Sequence, residues 1–389
     1  MNRLEELIQE LCPDGVKYKK LKTVADVYDG THTTPRYTNS GIPFVSVENI
    51  TAPYLTTKFI SKEDFGKFKI KPQIGDIFMT RIGSIGKCYV IDRDDPLAYY
   101  VSLALIRPNQ ALVNSRYLKH LIESRNGSKE LARRTLINAV PIKVNKNEIG
   151  EIVIPVPPLP VQEEVARILD IFTELTAELT AELTARKNQE KYYRAAAFSF
   201  DSSVEFVPLA QIAEISTGKS NTNEGLSEGK YPFYVRSQTP LKKNEYEFDE
   251  MAIITAGDGV GVGKVFHFVE GKYALHQRAY RIHVCTPNVL PKFLFHYIRT
   301  KFPEYIQKAM YEGSVPSIRR PMLNAFPVPV LPLNEQQKLV NIFDQFEQYC
   351  ESLTEGLPAE IAVRQKQYEY YRDKLLDFKE LKPEGADSN

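Results

Sequence analysis

The sequence contains two copies of one pattern, and this internal repeat limits what the chain can fold into more than any other feature. LKTVADVYDG at 21–30 matches LAQIAEISTG at 209–218 in its apolar spacing and its final glycine. Four further pairs keep the same order in both halves: IGK at 85–87 with VGK at 262–264, RYLKHLI at 116–122 with KFLFHYI at 292–298, PVPPLP at 155–160 with PVPVLP at 327–332, and RKNQEKYYR at 186–194 with RQKQYEYYR at 364–372. Two copies of about 180 residues exclude a solenoid of short repeats and predict one architecture used twice, as in a covalently linked pseudo-dimer.

The repeat divides the chain into four segments of different character. At about 150 residues per domain, 389 residues are enough for two or three domains. We predict an N-terminal globular domain at 1–154 and a central helical spacer at 155–203. A C-terminal globular domain at 204–326 and a C-terminal helical region at 327–389 repeat this order.

The formal net charge of +1 hides a segregation of charge between these segments. The globular segments are basic, with 23 Lys and Arg against 17 Asp and Glu in 1–154 and 15 against 12 in 204–326. The helical segments are acidic, with 5 against 8 in 155–203 and 7 against 12 in 327–389. Basic segments suit a polyanion, whereas acidic segments would be repelled by it and favour contact with protein.

Short strands between glycine and proline residues dominate both globular segments. The strand-like runs are IPFVSV at 42–47, GDIFMTRI at 75–82, GKCYVI at 86–91, EMAIIT at 250–255 and GKVFHFV at 263–269. Helical stretches near 115–125 and 291–309 interrupt these strands. Each globular segment is therefore predicted to be a mixed α/β domain of the α+β kind.

Two long helices are predicted, one between the globular segments and one after them. From Val161 to Ala197, apolar residues recur at spacings of three and four and form one stripe. Asn334 to Phe378 supplies a partner, which Gly356 and Pro358 should interrupt. We expect the two helices to pack antiparallel as a coiled coil that separates the two globular domains, with a pseudo-two-fold relation between the halves.

A glycine-rich run, GDGVGVGK at 257–264, is similar to a phosphate-binding loop but lacks its required residues. A P-loop needs glycine where Asp258 stands and serine or threonine where Val265 follows the lysine. The dinucleotide-binding pattern G-x-G-x-x-G fails at Val262 and Lys264. We predict a glycine-rich loop between strands, which either only connects them or brings backbone close to phosphates.

No catalytic or metal-binding motif occurs in the sequence. H-E-x-x-H, G-x-S-x-G and metal-spaced His/Cys clusters are absent, and DDPLA at 94–98 lacks the second proline of the amino-methyltransferase motif. The four cysteines are scattered without C-x-x-C spacing, which favours a reducing cytoplasm. No apolar run is long enough for a membrane span or a secretion signal, so neither is expected.

Polar and basic residues instead cluster in the loops of the two globular segments. In the first segment the candidates for nucleic-acid binding are Thr31, His32, Thr33, Arg36, Tyr37, Ser46, Asn49, Arg81, Ser84 and Lys87. In the second they are Lys219, Arg236, Ser237, Gln238, Lys264, His276, Gln277, Arg278, Arg319 and Arg320. Arginine and amide side chains suit base edges, whereas Ser, Thr and Lys mostly hold phosphates. Ordinary solvated loops are the alternative interpretation.

A four-residue unit, ELTA, occurs three times from Glu174 to Ala185. An alanine-rich solvated helix already explains this composition. One unit also adds about 6 Å and about one turn to a helix. Repeat number is therefore expected to set a distance between end domains, one unit corresponding to about one to two base pairs of DNA.

These features together resemble the specificity subunits of Type I restriction-modification enzymes over nearly the whole chain. The resemblance lies in the duplicated architecture and in these segments: ADVYDGTHTTPRY, GIPFVSVENI, GDIFMTRIGSIGK, YPFYVRSQ, GDGVGVGKV, LHQRAYRI and the paired PxPxLP and QxxYYR borders. It implies two target-recognition domains, each contacting one half of a split, asymmetric site in double-stranded DNA. The helices between them would space the domains and dock two methyltransferase subunits. Because the first helix ends YYRAAAFSF and the second YYRDKLLDF, the two docking surfaces need not be equivalent.

The resemblance also implies that the chain has no catalytic activity and no cofactor of its own. In this family, S-adenosylmethionine belongs to the methyltransferase subunits, and ATP with Mg²⁺ belongs to the restriction and translocase subunits. A stand-alone DNA methyltransferase or nuclease is the alternative function.

Overall fold

The computed structural model of the chain describes residues 2–309, 317–352 and 354–381. The chain forms two compact units, which we call unit 1 and unit 2. Unit 1 contains Met1–Glu178 together with Ile361–Asn389, and unit 2 contains Leu179–Glu360. None of the helices within the described ranges is long and apolar enough to cross a membrane.

Helices and strands are interspersed along the chain, which confirms the predicted mixed α/β fold. The helices of the described residues are α1 Asn2–Leu11, α2 Lys62–Gly66, α3 Ser115–Glu123, α4 Arg125–Arg134, α5 Lys146–Gly150, α6 Leu159–Ala197, α7 Pro291–Ala309, α8 Arg320–Asn324, α9 Leu333–Glu351 and α10 Leu357–Leu375. The strands of the first half are β1 Lys17–Lys20, β2 Ala25–Asp29, β3 Tyr37–Thr38, β4 Ile42–Val45, β5 Phe59–Ile60, β6 Ile77–Thr80, β7 Cys88–Val90, β8 Ala98–Tyr99, β9 Leu103–Pro108 and β10 Val153–Val156. Those of the second half are β11 Phe206–Pro208, β12 Ala213–Thr217, β13 Tyr231–Tyr234, β14 Leu241–Lys243, β15 Phe248–Ala256, β16 Phe266–Leu275, β17 Ala279–Val284 and β18 Pro327–Pro329.

The long helices begin and break where proline and glycine predict. Pro160 lies in the first turn of α6 and Pro358 in the first turn of α10, where a missing N–H breaks no helical hydrogen bond. The second helical region is interrupted as predicted, because α9 ends at Glu351 and α10 begins at Leu357. The helices predicted at 115–125 and 291–309 are α3 and α7.

Unit 1 is built on an antiparallel sheet in the order β2-β9-β6-β7 and a second sheet in the order β3-β5-β4-β8. All four residues of β6 are buried, because both faces of this strand are covered. Ile77 and Met79 join a core that includes residues of α3 and α6. Phe78 points to the opposite core, where its ring lies 5.1 Å from that of Tyr99. Each fully buried apolar side chain of this size contributes about 1.5–3 kcal/mol.

Unit 2 repeats this construction on a six-stranded sheet in the order β12-β17-β15-β16-β13-β14. Ile253 of β15 packs in the core that contains Phe293 of α7, whereas Ile254 packs on the opposite face with Tyr273. β13 runs parallel to β16, as β4 runs parallel to β8 in unit 1. The two halves of the sequence therefore fold on one scaffold.

A buried glutamine at the start of a long helix occurs in both units. Gln162 of α6 donates from Nε2 to the carbonyl oxygens of Leu112 at 3.0 Å and Pro157 at 2.7 Å. Gln336 of α9 donates two equivalent bonds in unit 2, each of 2.8 Å. Both glutamines are fully buried, so these bonds fix the start of the helix against the loop before it.

A buried histidine of α3 contacts the long helix α6 in unit 1, and its counterpart in α7 contacts the long helix α9 in unit 2. His120 Nε2 lies 2.7 Å from the carboxylate of Asp170 on α6, and His296 Nε2 lies 2.9 Å from that of Asp344 on α9. In unit 1 the second ring nitrogen of His120 also contacts the Tyr368 hydroxyl of α10, at 2.9 Å. The matched segments RYLKHLI and KFLFHYI thus share a histidine because both use it in the same buried contact.

Candidate functional site

Four loops of unit 1 lie together where β2, β4 and β6 end and β9 begins. We call residues 30–37, 46–49, 81–87 and 100–102 the unit 1 loop edge. Nine of the ten residues predicted for DNA binding in the first half of the chain lie in these loops, and Tyr37 is the first residue of β3 at the end of the first loop. The structure therefore collects residues that are separated by up to 56 positions between Thr31 and Lys87.

Hydrogen bonds join the loops of this edge to one another. The N–H of Thr31 donates to the carbonyl of Tyr99 at 3.1 Å, and the N–H of Arg81 donates to the carbonyl of Ser102 at 3.0 Å. The N–H of Val47 donates to the Ser102 hydroxyl at 3.4 Å. Because these contacts involve backbone, they hold the loops in place without using most of the side chains.

A glycine at the end of β2 permits the close approach of two of these loops. A Cβ on Gly30 would lie 2.3 Å from the carbonyl oxygen of Tyr100, and one on Gly218 in unit 2 would lie 1.8 Å from that of Leu275. No side chain fits at such distances. This close contact accounts for the final glycine shared by the two longest matched segments.

Two of the predicted residues hold their own loop in shape. Asn49 Oδ1 accepts the N–H of Ser46 at 2.8 Å, and Asn49 Nδ2 donates to the Thr56 hydroxyl at 2.8 Å. The Ser46 hydroxyl accepts the N–H of Glu48 at 3.4 Å. Their predicted contact with DNA stays a prediction, whereas their role in the loop follows from these bonds.

Arg81 is placed inside the protein. Its side chain is buried, pairs with the carboxylate of Asp29 and donates from Nε to the carbonyl of Val144 at 3.1 Å. Contact of Arg81 with a ligand would require this ion pair to open. No sequence pattern indicated this burial, because Asp29 and Arg81 meet only when β2 and β6 join the same sheet.

The remaining predicted side chains of unit 1 are accessible to solvent. Thr31 is half-buried, and the exposed residues are His32, Thr33, Arg36, Tyr37, Ser84 and Lys87. Residues 30–36 form one wall of a cleft of about 780 Å³, whose lining also includes Lys67, Lys69, Lys146 and the ring of Phe68. The cleft combines positive charge with an aromatic surface, a combination typical of nucleic-acid contacts.

The prediction missed the three lysines of this cleft. Residues 58–71 contain five lysines and three phenylalanines, a basic stretch with interleaved aromatic residues. That pattern is a usable signal for a nucleic-acid surface. Lys67 pairs with Asp64 at 2.7 Å, so part of the positive charge is already balanced.

In unit 2, five loops meet in the same way at the end of the sheet. We call residues 218–221, 235–238, 257–264, 276–278 and 317–320 the unit 2 loop edge. Nine of the ten residues predicted for the second half lie in these loops, and Arg320 is the first residue of α8. Their backbone is joined by several bonds, among them the N–H of Ile318 to the carbonyl of Gly257 at 2.7 Å.

Asp258 lies between two of the predicted arginines. Its carboxylate accepts from Arg236 at 2.5 Å and from Arg278 at 3.1 Å. Burial opposes ionisation of Asp258, but the two guanidinium groups outweigh it and hold its pKa below the ordinary value. Two cations share one anion, so the cluster keeps a net positive charge that an incoming phosphate or base edge can use. From the sequence alone, Asp258 is distinguished only as the residue that breaks the P-loop pattern.

The other residues of the 276–278 loop make contacts within the edge. The ring of His276 is buried and accepts the N–H of Arg278 on Nδ1 at 2.9 Å. Burial and the charge of Arg236 lower the pKa of His276, so the ring is neutral near pH 7. The Gln277 side chain donates to Asn221 and is otherwise exposed.

The remaining predicted residues of unit 2 are exposed side chains at the ends of the loops. They are Lys219, Ser237, Gln238, Lys264, Arg319 and Arg320. The glycine-rich run forms the loop between β15 and β16, as predicted. A Cβ on Gly261 would lie 2.4 Å from the carbonyl oxygen of Arg236, so this glycine permits the loop to pass close to the arginine.

Within the described ranges, one group of side chains in unit 2 has the spacing of a metal site. It contains His296, Asp344 and Glu347. Lys292 pairs with Asp344 at 2.8 Å, and Arg299 pairs with Glu347. Burial lowers the pKa of His296 to about 4. The neighbouring cations already balance the carboxylates, so this group is a buried ion-pair network that does not suit a metal ion.

Comparison with known proteins gives a consistent family match. Residues 13–186 and 201–363 each match the model of the family described as the Type I restriction modification DNA specificity domain. The chain is 35% identical over 242 residues to the Type I restriction enzyme EcoR124I/EcoR124II specificity subunit of Escherichia coli; this match covers 57% of the chain and 60% of that protein, less than two thirds of its length. It is 30% identical over 293 residues to a putative type I restriction enzyme specificity subunit of Haemophilus influenzae, covering 68% of the chain and 73% of that protein.

Two solved structures share the fold. The crystal structure of a Type I restriction-modification S subunit from M. genitalium has a TM-score of 0.62 and 15% identity, covering 93% of this chain and 96% of that one. A chain from a study of complex assembly and conformational transition of the type I R-M system has a TM-score of 0.56 and 16% identity, covering 94% and 98%. At these identities the likeness concerns the fold alone.

Proposed function

This chain belongs to the family of Type I restriction-modification DNA specificity subunits, and from that premise we propose that it recognises a bipartite, asymmetric site in double-stranded DNA. Each loop edge contacts one half-site. A specificity subunit is the non-catalytic member of a Type I enzyme. The chain therefore acts by binding DNA and by assembling catalytic subunits on it.

The observation that carries this proposal is one backbone scaffold with two different sets of side chains. In unit 1 the N–H of Val101 donates to the carbonyl of Thr31 at 2.9 Å, and in unit 2 the N–H of Gln277 donates to that of Ser220, also at 2.9 Å. Equivalent loops thus present valine in one unit and glutamine in the other. Two backbone scaffolds that share a hydrogen bond but present different side chains suit two different base sequences.

The same contrast extends along the edge. Ser102 in unit 1 takes the place of Arg278 in unit 2, since the carbonyl of each accepts a backbone N–H from the loop after β6 or β15. In unit 1 that donor is Arg81, which is buried against Asp29, whereas in unit 2 it is Gly257. The charge of Arg81 in unit 1 is therefore buried, whereas the charge of Arg278 in unit 2 is exposed. This difference favours an asymmetric target.

We assign the target-recognition domains to 1–154 and 204–326, and the spacing and docking role to 155–203 and 327–389. The net positive charge of the former segments and the net negative charge of the latter support this division. The helical segments hold two methyltransferase subunits. S-adenosylmethionine binds to those subunits, and ATP and Mg²⁺ act on the restriction and translocase subunits that join the complex.

A comparison of the chain alone with the assembled complex tests this function. Assembled with the methyltransferase subunits of its own system, the chain should discriminate its site from a scrambled duplex. Because several phosphate contacts would contribute to affinity, raising the salt concentration from 50 to 200 mM should weaken binding by about 10³-fold or more. Titration calorimetry of S-adenosylmethionine into the chain alone should give no heat, and the chain alone should not cut DNA. Heat or cleavage in those controls would support a stand-alone methyltransferase or nuclease instead.

The substitution Arg278→Ala should weaken recognition of one half-site. The Arg278 side chain is 63% exposed, and Arg236 remains to balance Asp258, so the variant should fold. We expect a loss of about 1–3 kcal/mol in specific binding and a relaxed base preference confined to the half-site of unit 2. Methylome sequencing and competition binding measure both effects.

Lys272→Ala is the matched control for this substitution. Lys272 is exposed and lies on β16 opposite Asp249 of β15. Asp249 is at the start of β15, whereas Asp258 follows its end. The substitution Lys272→Ala removes one positive charge, as Arg278→Ala does, but at a distance from the unit 2 loop edge. Equal losses in the two variants would mean that Arg278 contributes only general charge and no base recognition.

A further inference from the structure

The loop between α4 and α5 in unit 1 exposes a group of apolar side chains. Val140 is 100% exposed and Ile137 is 74% exposed, with Leu136 at 45% and Ile142 at 39%. Single exposed apolar residues are ordinary on a protein surface, but several adjacent ones usually mark a contact with another molecule. We call residues 136–142 the apolar loop.

Backbone bonds hold the base of the apolar loop in place. The N–H of Leu136 donates to the carbonyl of Lys143 at 2.7 Å, which closes the loop on itself. The N–H of Gly83 donates to the carbonyl of Ile142 at 2.9 Å, which joins it to the loop after β6. Since its base is fixed, the loop holds Ile137 and Val140 in water, where a bound partner that covers them would gain hydrophobic free energy.

The apolar loop is continuous with the unit 1 loop edge. Gly83 belongs to that edge, and the N–H of Val144 donates to the carbonyl of Arg81 at 3.0 Å. Residues 131–147 contain four basic residues and no acidic residue. Two of these, Arg133 and Arg134, pair with Glu130, whereas Lys143 and Lys146 follow the apolar loop directly.

We propose that Ile137 and Val140 form a wedge that enters the bound DNA and packs against its bases in the half-site of unit 1. This inference rests on the proposed function and adds to it a specific mode of contact. Proteins that deform DNA insert apolar side chains between base steps, and the unstacking cost is offset by additional contact area. Isoleucine and valine suit this role because β-branched side chains have few rotamers to lose on insertion.

The surroundings of the apolar loop favour DNA over a protein partner. The loop lies in the basic segment 1–154, next to a cleft lined by Lys146, and the acidic segments that suit protein contacts begin only at residue 155. An apolar tip followed by two lysines matches a duplex, in which a stacked apolar interior lies beside rows of phosphates. A methyltransferase surface is the alternative occupant, and loss of the methyltransferase subunits from a loop variant would identify it.

The test uses the double variant Ile137→Ser with Val140→Ser in the complex with the methyltransferase subunits. The DNA duplexes for this experiment carry the site identified by methylome sequencing. In each duplex, 2-aminopurine replaces one base, at successive positions of the unit 1 half-site. The wild-type complex should raise 2-aminopurine fluorescence at one base step, and the variant should not. We expect the Kd of the variant to rise about tenfold. The salt dependence of its binding should stay unchanged, because no charge is removed.

Ile74→Ser is the matched control. Ile74 is 61% exposed and lies before β6, at the opposite end of that strand from Gly83. This variant should bind DNA as the wild type does. Thermal unfolding of all three proteins should coincide, since every substituted side chain is exposed.

Three results would overturn the wedge. A double variant that keeps both its Kd and its fluorescence change would do so while leaving the proposed function intact. A double variant that loses methyltransferase subunits on gel filtration would assign the apolar loop to a protein contact. A wild-type complex that fails to discriminate its site from a scrambled duplex would refute the proposed function and the wedge together.

Discussion

Exchanging residues 20–150 for the corresponding block of another specificity subunit is expected to replace one half of the methylated sequence and leave the other half unchanged. The block contains every loop of the unit 1 loop edge and none of the unit 2 loop edge. Each mismatched base pair costs about 1–3 kcal/mol, so a half-site of several base pairs is lost almost completely. Methylome sequencing of a host that carries the exchanged chain gives the result directly.

The ends of this block suit an exchange without loss of folding. β1 pairs with β10 in the register Lys17 with Val156 through Lys20 with Val153, so the host supplies nearly all of this ladder on both sides. The donor needs a histidine in its equivalent of α3, because His120 contacts Asp170 of the host helix α6. A donor that lacks it would leave the partly buried carboxylate of Asp170 without its histidine partner.

The reciprocal exchange of residues 209–324 is the control for this experiment. β11 and β18, which pair outside that block, stay in the host. This exchange should change the other half-site only. A change in both half-sites after either exchange would contradict the assignment of one half-site to each loop edge.

Deleting one ELTA unit, residues 178–181, should shorten the gap between the half-sites by about one to two base pairs and leave both half-sites intact. α6 is one continuous helix from Leu159 to Ala197, and four residues account for about 6 Å of its length. Because the unit repeats, the deletion joins identical sequence on both sides. Methylation at the original spacing should disappear, and methylome sequencing should detect the new spacing.

A variant of unchanged length controls for effects of composition. Leu179→Ala together with Thr180→Ala keeps the helix length and replaces two residues of the unit with alanine, the best helix former. Its spacer should equal that of the wild type. The length hypothesis would be wrong if the deletion altered a half-site or kept the original gap.

Local sequence signals predict the limits of the long helices, whereas contacts between distant side chains were not predictable from them. The limits of α6, α9 and α10 follow from apolar periodicity and from prolines such as Pro160 and Pro358, which act on neighbouring residues. All twenty predicted site residues lie on the two loop edges, although β2, β12 and β13, which precede three of these loops, are not among the predicted strands. The buried glutamines were missed, since Gln162 lies two residues after Pro160 whereas Gln336 lies four residues after Pro332.

The sequence by itself determined the doubled architecture, the mixed α/β class and the loops in which polar chemistry is concentrated. These properties depend on spacing and composition that each copy carries within itself. Only the tertiary structure decided which polar side chains remain available for a ligand. Arg81 is buried because β2 brings Asp29 beside it, while Arg278 stays exposed beside Asp258. Such pairings join residues far apart in the chain, and burial fixes them only after the sheets have formed.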